Sequence, residues 1–266
     1  MTPVEIHRGD GPIVLGLPHT GTHVPDDIKA RLNARGQGLD DTDWHIHTLY
    51  DGLLPGATTV RATFHRYVID ANRDPSGGSL YPGQNTTGLV PLTDFDGQDI
   101  WDTPPNEDEV EARRKTFHAP YHAALEAELE RVRDRHGIAI LYDCHSIRSH
   151  IPFLFDGILS DFNIGTNLGT TCAAQIEAAV QSLCEMAEGY STVTNGRFKG
   201  GWTTRHYGRP ADGLHAIQME LAQSTYLKDE AAPWTYDDVK AARLRGHLKT
   251  ILTTLADLAP DLKGTS

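Results

Sequence analysis

Apolar residues in this chain fall into two patterns, short unbroken runs and longer stretches with helical spacing. The run Ile13–Leu17 leads into Pro18-His19-Thr20-Gly21, and the run 138–142 leads into Asp143-Cys144-His145-Ser146. Runs of this length suit parallel strands covered on both faces. Residues 214–221 alternate in part and place Gln218 and Glu220 on one side at strand spacing. Further strands are predicted near 58–63 and, shorter, at 67–69. Helical spacing begins after Asn106, a plausible N-cap followed by Glu107, Asp108 and Glu109 in the first turn. Val110, Phe117, Tyr121, Leu125, Leu129 and Val132 then recur at intervals of three, four or seven until Gly137, and Pro120 predicts a kink or two abutting helices. Residues 172–187 and 237–258 also read as helices. Strands alternating with helices predict a three-layer α/β sandwich.

The segment 74–105 departs from both patterns. It is rich in Gly, Pro and Asp and far longer than an ordinary connection, yet it carries Tyr81, Leu89, Leu92, Phe95, Ile100 and Trp101 as apolar anchors. An ordered active-site loop within one domain spanning 1–266 is the expectation.

Composition narrows the function classes. With 39% hydrophobic and 23% charged residues the chain reads as a folded soluble protein. Its net charge of −12 repels nucleic acid and anionic membranes, so an anionic substrate must be held by local arginines. The N-terminus shows no signal-peptide pattern and no stretch approaches a membrane span, which predicts a cytoplasmic protein. Cys144, Cys172 and Cys184 have no CxxC spacing and read as reduced thiols. Histidine is abundant, at 14 of 266 residues, and directs the search toward metal or acid–base chemistry.

In open α/β sheets ligands gather at the carboxyl ends of strands, and His19 and His145 both follow apolar runs. Two histidines so placed suggest a catalytic zinc site with three protein ligands and a position open to water. The third ligand is open among His23, Asp40, Asp41, Asp43, His45 and His47. His23 is discounted because Gly21 and Pro25 argue against a helix that would bring it beside His19. The acids at 40–43 precede an apolar-periodic segment, Trp44, Leu49 and Leu53, and could equally cap a helix there. In 66–74, Asp70, Asn72, Arg73 and Asp74 follow an apolar stretch, and an arginine at a strand end suits a substrate carboxylate. Glu220, in an otherwise apolar strand, has the setting of a carboxylate with a raised pKa, suited to proton transfer. A Cys144 nucleophile is disfavoured because neighbours on a strand face opposite ways, and Ser146 lacks a GxSxG turn.

Six motifs, LPHTGTHVP at 17–25, DDTDWHIHTLYD at 40–51, HRYVIDANRDP at 65–75, DCHS at 143–146, GGWTTRHYGRP at 200–210 and HAIQMELAQSTY at 215–226, run through nearly the whole chain. In this order and separation the chain resembles the N-formylglutamate deformylases, or amidohydrolases, of bacterial histidine breakdown. The resemblance implies a phosphorylase/hydrolase-like fold of the zinc peptidase kind, a central mixed, mostly parallel sheet between helices. It implies one divalent metal, most readily zinc with cobalt as an alternative, on His19 and His145. Asn72 and Arg73 would hold a substrate carboxylate, with Arg66 or Arg205 as a second clamp, and Glu220 would move protons. The wider superfamily carries a glutamate ligand three residues after the first histidine, where this chain has Thr22, so Asp43 is taken as the replacement.

The implied reaction splits N-formyl-L-glutamate into formate and L-glutamate, the last step of a histidine degradation route, in a monomer or small homo-oligomer. The same metal site would also suit a deacylase of another N-acyl amino acid or a cell-wall peptide amidase. A non-catalytic binding module is disfavoured by the presence of Glu220.

Overall fold

The computed structural model describes residues 2–78 and 85–262. Among them are seven strands, β1 (Val4–His7), β2 (Ile13–Leu17), β3 (Thr58–Ala62), β4 (Ala139–Ile147), β5 (Phe162–Gly165), β6 (Thr192–Thr194) and β7 (Leu214–Ala222). The α-helices are α1 (Asp26–Lys29), α2 (Ile46–Tyr50), α3 (Glu107–Arg113), α4 (Ala119–His136), α5 (Ala174–Glu185), α6 (Trp202–Tyr207) and α7 (Asp238–Leu258). The strands form one mixed sheet in the order β1-β3-β2-β4-β7-β5-β6. Its central strands β3, β2, β4 and β7 are parallel, while β1 pairs antiparallel with β3 and β5 antiparallel with β7.

Alternation along the strands builds the three layers. Ile13, Leu15 and Leu17 of β2 and Ile140 and Tyr142 of β4 pack with Ile176 and Val180 of α5 and Leu248 and Leu252 of α7. Val14 and Leu141 face the other way, onto Tyr121, Leu125, Leu129 and Val132 of α4. Burial on both sides explains why β2 and the first half of β4 carry no charged residue.

The second apolar run is longer as a strand than its hydrophobicity indicates. β4 continues through Asp143 and His145 because β7 pairs with it along its whole length, Ala139 opposite Leu214 through Ile147 opposite Ala222. His145 therefore lies within a strand, directly opposite Glu220, while His19 lies in the loop two residues beyond β2. Residues 67–69 do not form the expected strand. Tyr67 and Val68 lie in a turn, with Val68 N–H donating to His65 O at 2.9 Å, Ile69 follows it, and the apolar character of all three reflects near-complete burial. The short strands β1, β5 and β6 carry no long apolar run and were not expected.

Asn106 caps α3 as predicted, with a reciprocal capping box to Glu109. An Asn106→Ala variant is expected to lose about 0.5–2 kcal/mol in urea unfolding. The break near Pro120 is a π-helical turn, Arg114–His118, after which Pro120 falls in the first turn of α4, where its missing N–H is least costly. Gly137 ends α4 in the left-handed conformation at φ 76°.

Of the expected anchors in 74–105, Phe95, Ile100 and Trp101 are buried and Leu89 partly so, whereas Leu92 is exposed. Tyr81 lies outside the described residues. Among the described residues no helix is long and apolar enough to cross a membrane.

Candidate active site

Three segments converge at the carboxyl end of the parallel strands. The chain leaving β2 carries His19, and its carbonyl accepts the Asp43 N–H at 3.0 Å, which ties the segment before α2 to the end of β2. His45 then turns the chain at a left-handed φ of 59°, and no side chain caps α2. Asp43 thus has no capping role. Its Oδ1 accepts from Arg66 Nη2 at 3.0 Å, while Oδ2 accepts from Ser146 N–H at 3.1 Å and lies 3.4 Å from His145 Nδ1 and 3.9 Å from His19 Nδ1.

Among the described residues, one cluster of metal-ligating side chains brings its donor atoms within 4.8 Å of one another, namely His19, Asp43 and His145. The other candidates point elsewhere. Asp41 accepts from Tyr67 Oη and from Phe95 N–H, His45 Nε2 meets the Trp234 carbonyl, and His47 bonds the Thr20 hydroxyl.

The donor set fits a cation. His19 Nε2 lies 2.6 Å from Asp70 Oδ1, and a carboxylate can only accept, so the proton sits on Nε2 and the lone pair on Nδ1. That Nδ1 is buried without a hydrogen-bond partner. His145 has its Nε2 3.1 Å from Asp143 Oδ1 and 3.3 Å from Asn72 Nδ2, and its Nδ1 is turned toward Asp43. The Asp70 carboxylate behind His19 is the arrangement that can fix a histidine ring for a metal.

The electrostatics agree. Burial, reinforced by Arg66, lowers the His19 pKa to about 4, so this ring is neutral at pH 7. Burial works against the ionised forms of Asp43 and Asp70 as well. His145, Arg66 and His19 overcome it at Asp43, and Arg73 and His19 do so at Asp70, holding both below the usual carboxylate range. Burial also disfavours the imidazolium of His145, yet Asp143 and Asp43 outweigh it and raise that pKa. The cluster thus concentrates negative charge around two imidazoles, a place for a positive ion.

Above the cluster is a cavity lined by His19, Asn72, Arg73, His145 and Glu220, with Gln218 beside Glu220. Gln218 Nε2 donates to Glu220 Oε2 at 3.2 Å, as expected for strand neighbours two apart. Burial pushes the Glu220 pKa up to about 8, with Asp43 adding to the rise and His145 opposing it.

A family model for N-formylglutamate amidohydrolase matches residues 11–227. The chain belongs to this family. N-formylglutamate deformylases of Pseudomonas putida and Pseudomonas aeruginosa are each 44% identical to it over 255 residues, covering 95% of both chains in each comparison. The crystal structure of N-formylglutamate amidohydrolase from Ralstonia eutropha superposes with a TM-score of 0.81 at 26% identity, covering 98% of this chain and 99% of that one.

Within this amidohydrolase framework the arginines divide. Arg73 lines the cavity and is tied to the long loop, donating from Nε to Thr87 O at 2.8 Å and from Nη2 to Thr87 Oγ1 at 2.9 Å. Arg66 also lines it, but its Nη2 is engaged by Asp43. Arg205 does not line the cavity. It lies on α6 with Nε donating to Gly200 O at 2.8 Å. Arg197, which the motifs did not single out, reaches the cavity wall from the segment after β6, donating to Leu154 O and Asn85 O. Asp70 and Asp143 were likewise not assigned roles. Asp143, two residues before His145 on one strand, was within reach of the period-two argument.

Proposed function

We propose that this chain hydrolyses N-formyl-L-glutamate to formate and L-glutamate, as the last step of a histidine degradation route, with one divalent ion on His19, Asp43 and His145. Zinc suits the two-imidazole, one-carboxylate donor set best. The observation that carries the reading is the buried, unpartnered Nδ1 of His19, directed at Asp43 and facing a cavity that also exposes Glu220.

His19, Asp43 and His145 would hold a divalent ion, which when bound would supply Lewis-acid polarisation of the formyl carbonyl and a water of lowered pKa. Glu220 is placed to take the water's proton. Burial pushes its pKa up to about 8, so once protonated the carboxyl group holds that proton and can give it to the departing amine nitrogen. Without that transfer the amine would have to leave as a strongly basic anion. Arg73, its guanidinium held by Thr87 and Asn72 O, presents its charge and remaining Nη protons to a substrate carboxylate, and Arg197 supplies a second cation at the cavity wall in place of Arg205. Asn72, with Oδ1 fixed by the Thr203 N–H at 2.9 Å, orients its Nδ2 toward His145. Cys144, Cys172 and Cys184 are buried and unbridged, which supports a reducing, cytoplasmic setting.

The test is formate release from N-formyl, N-acetyl and N-succinyl glutamate, before and after chelation. Release from the formyl compound alone, lost on chelation and restored by zinc, is the expected result. Equal turnover of the acetyl compound would redirect the reading to a general deacylase, and full activity in metal-free protein would remove the metal from it.

A further inference from the structure

The abundance of histidine is only partly absorbed by the metal cluster. Two more, His118 and His122, are buried on the helix behind the segment 68–73, which carries Asp70, Asn72 and Arg73. That segment lies outside the strands of the sheet and has few backbone bonds of its own, among them Asp70 N–H to Leu89 O at 2.7 Å.

Its carbonyls are taken up from one helix. Arg113 Nη1 donates to Val68 O at 3.2 Å, His122 Nε2 meets Ala71 O at 2.7 Å, and His118 Nε2 meets Arg73 O at 3.0 Å. A carbonyl can only accept, so both imidazoles carry their proton on Nε2. Burial lowers the pKa of each, to about 3 for His122, so both are neutral donors at pH 7. Trp202 packs against both rings, with centroids 5.8 and 4.7 Å away, and Tyr207 Oη is 3.1 Å from His122 Nδ1.

The π-helical turn explains how one helix reaches all three carbonyls. In an uninterrupted α-helix, positions 113 and 118 are about 140° apart around the axis. A π turn bonds i to i+5 and absorbs one extra residue, so Arg114–His118 returns position 118 to the face that carries Arg113, and His122 follows one α-turn later. The irregular turn thereby registers three donors against one stretch of backbone.

We propose that His118 and His122, with Arg113, are positioning residues that fasten segment 68–73, holding Asn72 and Arg73 toward the substrate and Asp70 behind His19. The kinetic part of this inference rests on the proposed hydrolysis, while the fastening itself does not.

The experiment combines hydrogen–deuterium exchange of residues 66–74 with steady-state kinetics on zinc-loaded protein. It uses His118→Leu, His118→Gln, His122→Leu and, as a core control on the same helix, Val132→Ala. Both leucine variants are expected to speed exchange in 66–74 well beyond the control at matched loss of Tm. His118→Leu, which frees the Arg73 carbonyl, should raise KM for N-formylglutamate by about 3- to 10-fold with kcat nearly unchanged. His118→Gln retains an amide donor and should recover most of that KM. Exchange unchanged from wild type, an equal effect in Val132→Ala, or no recovery by glutamine would each overturn the proposal. Should wild-type protein release no formate, the substrate reading fails, and the exchange comparison still decides whether these side chains fasten the segment.

Discussion

Replacing Glu220 by glutamine lowers kcat for formate release by about 10²- to 10⁴-fold while bound metal stays stoichiometric. The side chain keeps its shape and its place beside Gln218, so the loss reports proton transfer rather than packing. Near-normal kcat in Glu220→Gln would mean that another group moves the proton. Bound metal is measured in the same samples because Glu220 lies directly opposite His145 in the strand register, where a shift of the strand would register as metal loss.

A similarly large effect is expected at Asp43. Asp43→Ala removes the carboxylate that faces both imidazoles and also strands the buried guanidinium of Arg66, which is 5% exposed. Metal content should fall as far as in His19→Ala or His145→Ala, with stability lowered by about 3–5 kcal/mol because a buried charge loses its partner. Asp43→Asn separates the two consequences, since it keeps the volume and one oxygen while removing the charge. Stoichiometric metal in Asp43→Ala would exclude it as a ligand.

The sequence revealed the centre of the sheet better than its edges. β2, β4 and β7 are buried on both faces, and such burial writes itself into the chain as an unbroken apolar run in β2 and the first part of β4 and as a mostly apolar stretch in β7. β5 and β6 have four and three residues and are recognisable only by their partners. The stretch 67–69 misled because burial and strand formation leave the same apolar signature over three residues.

At the site, His19, His145 and Glu220 stood out because each follows or interrupts an apolar run. For Asp43 the residues alone allowed a cap or a ligand, and only the family resemblance favoured the ligand. What distinguishes the two is the bond from its own N–H to His19 O and the left-handed turn at His45, both tertiary features. Asp70 was beyond local reasoning because it meets His19 across 51 positions of chain. Arg205 and Arg197 are equally charged and lie in similar glycine-containing stretches, and which one reaches the cavity depends on where α6 begins.

The paired course of β4 divides the cavity into two halves with different scope for change. His145 and Glu220 lie on strands bonded to each other along their whole length, so a substitution that moves one backbone moves the other. The opposite wall, with Thr87, Arg197 and Phe198, comes from connections between elements and packs in part on a small separate apolar cluster around Phe95, Ile147, Ile151 and Leu159. Loop walls tolerate replacement where strands do not. Exchanging residues 85–87 together with 197–198 is thus the route by which this scaffold could be retargeted to another acyl amino acid, with the hydrolytic chemistry carried over intact.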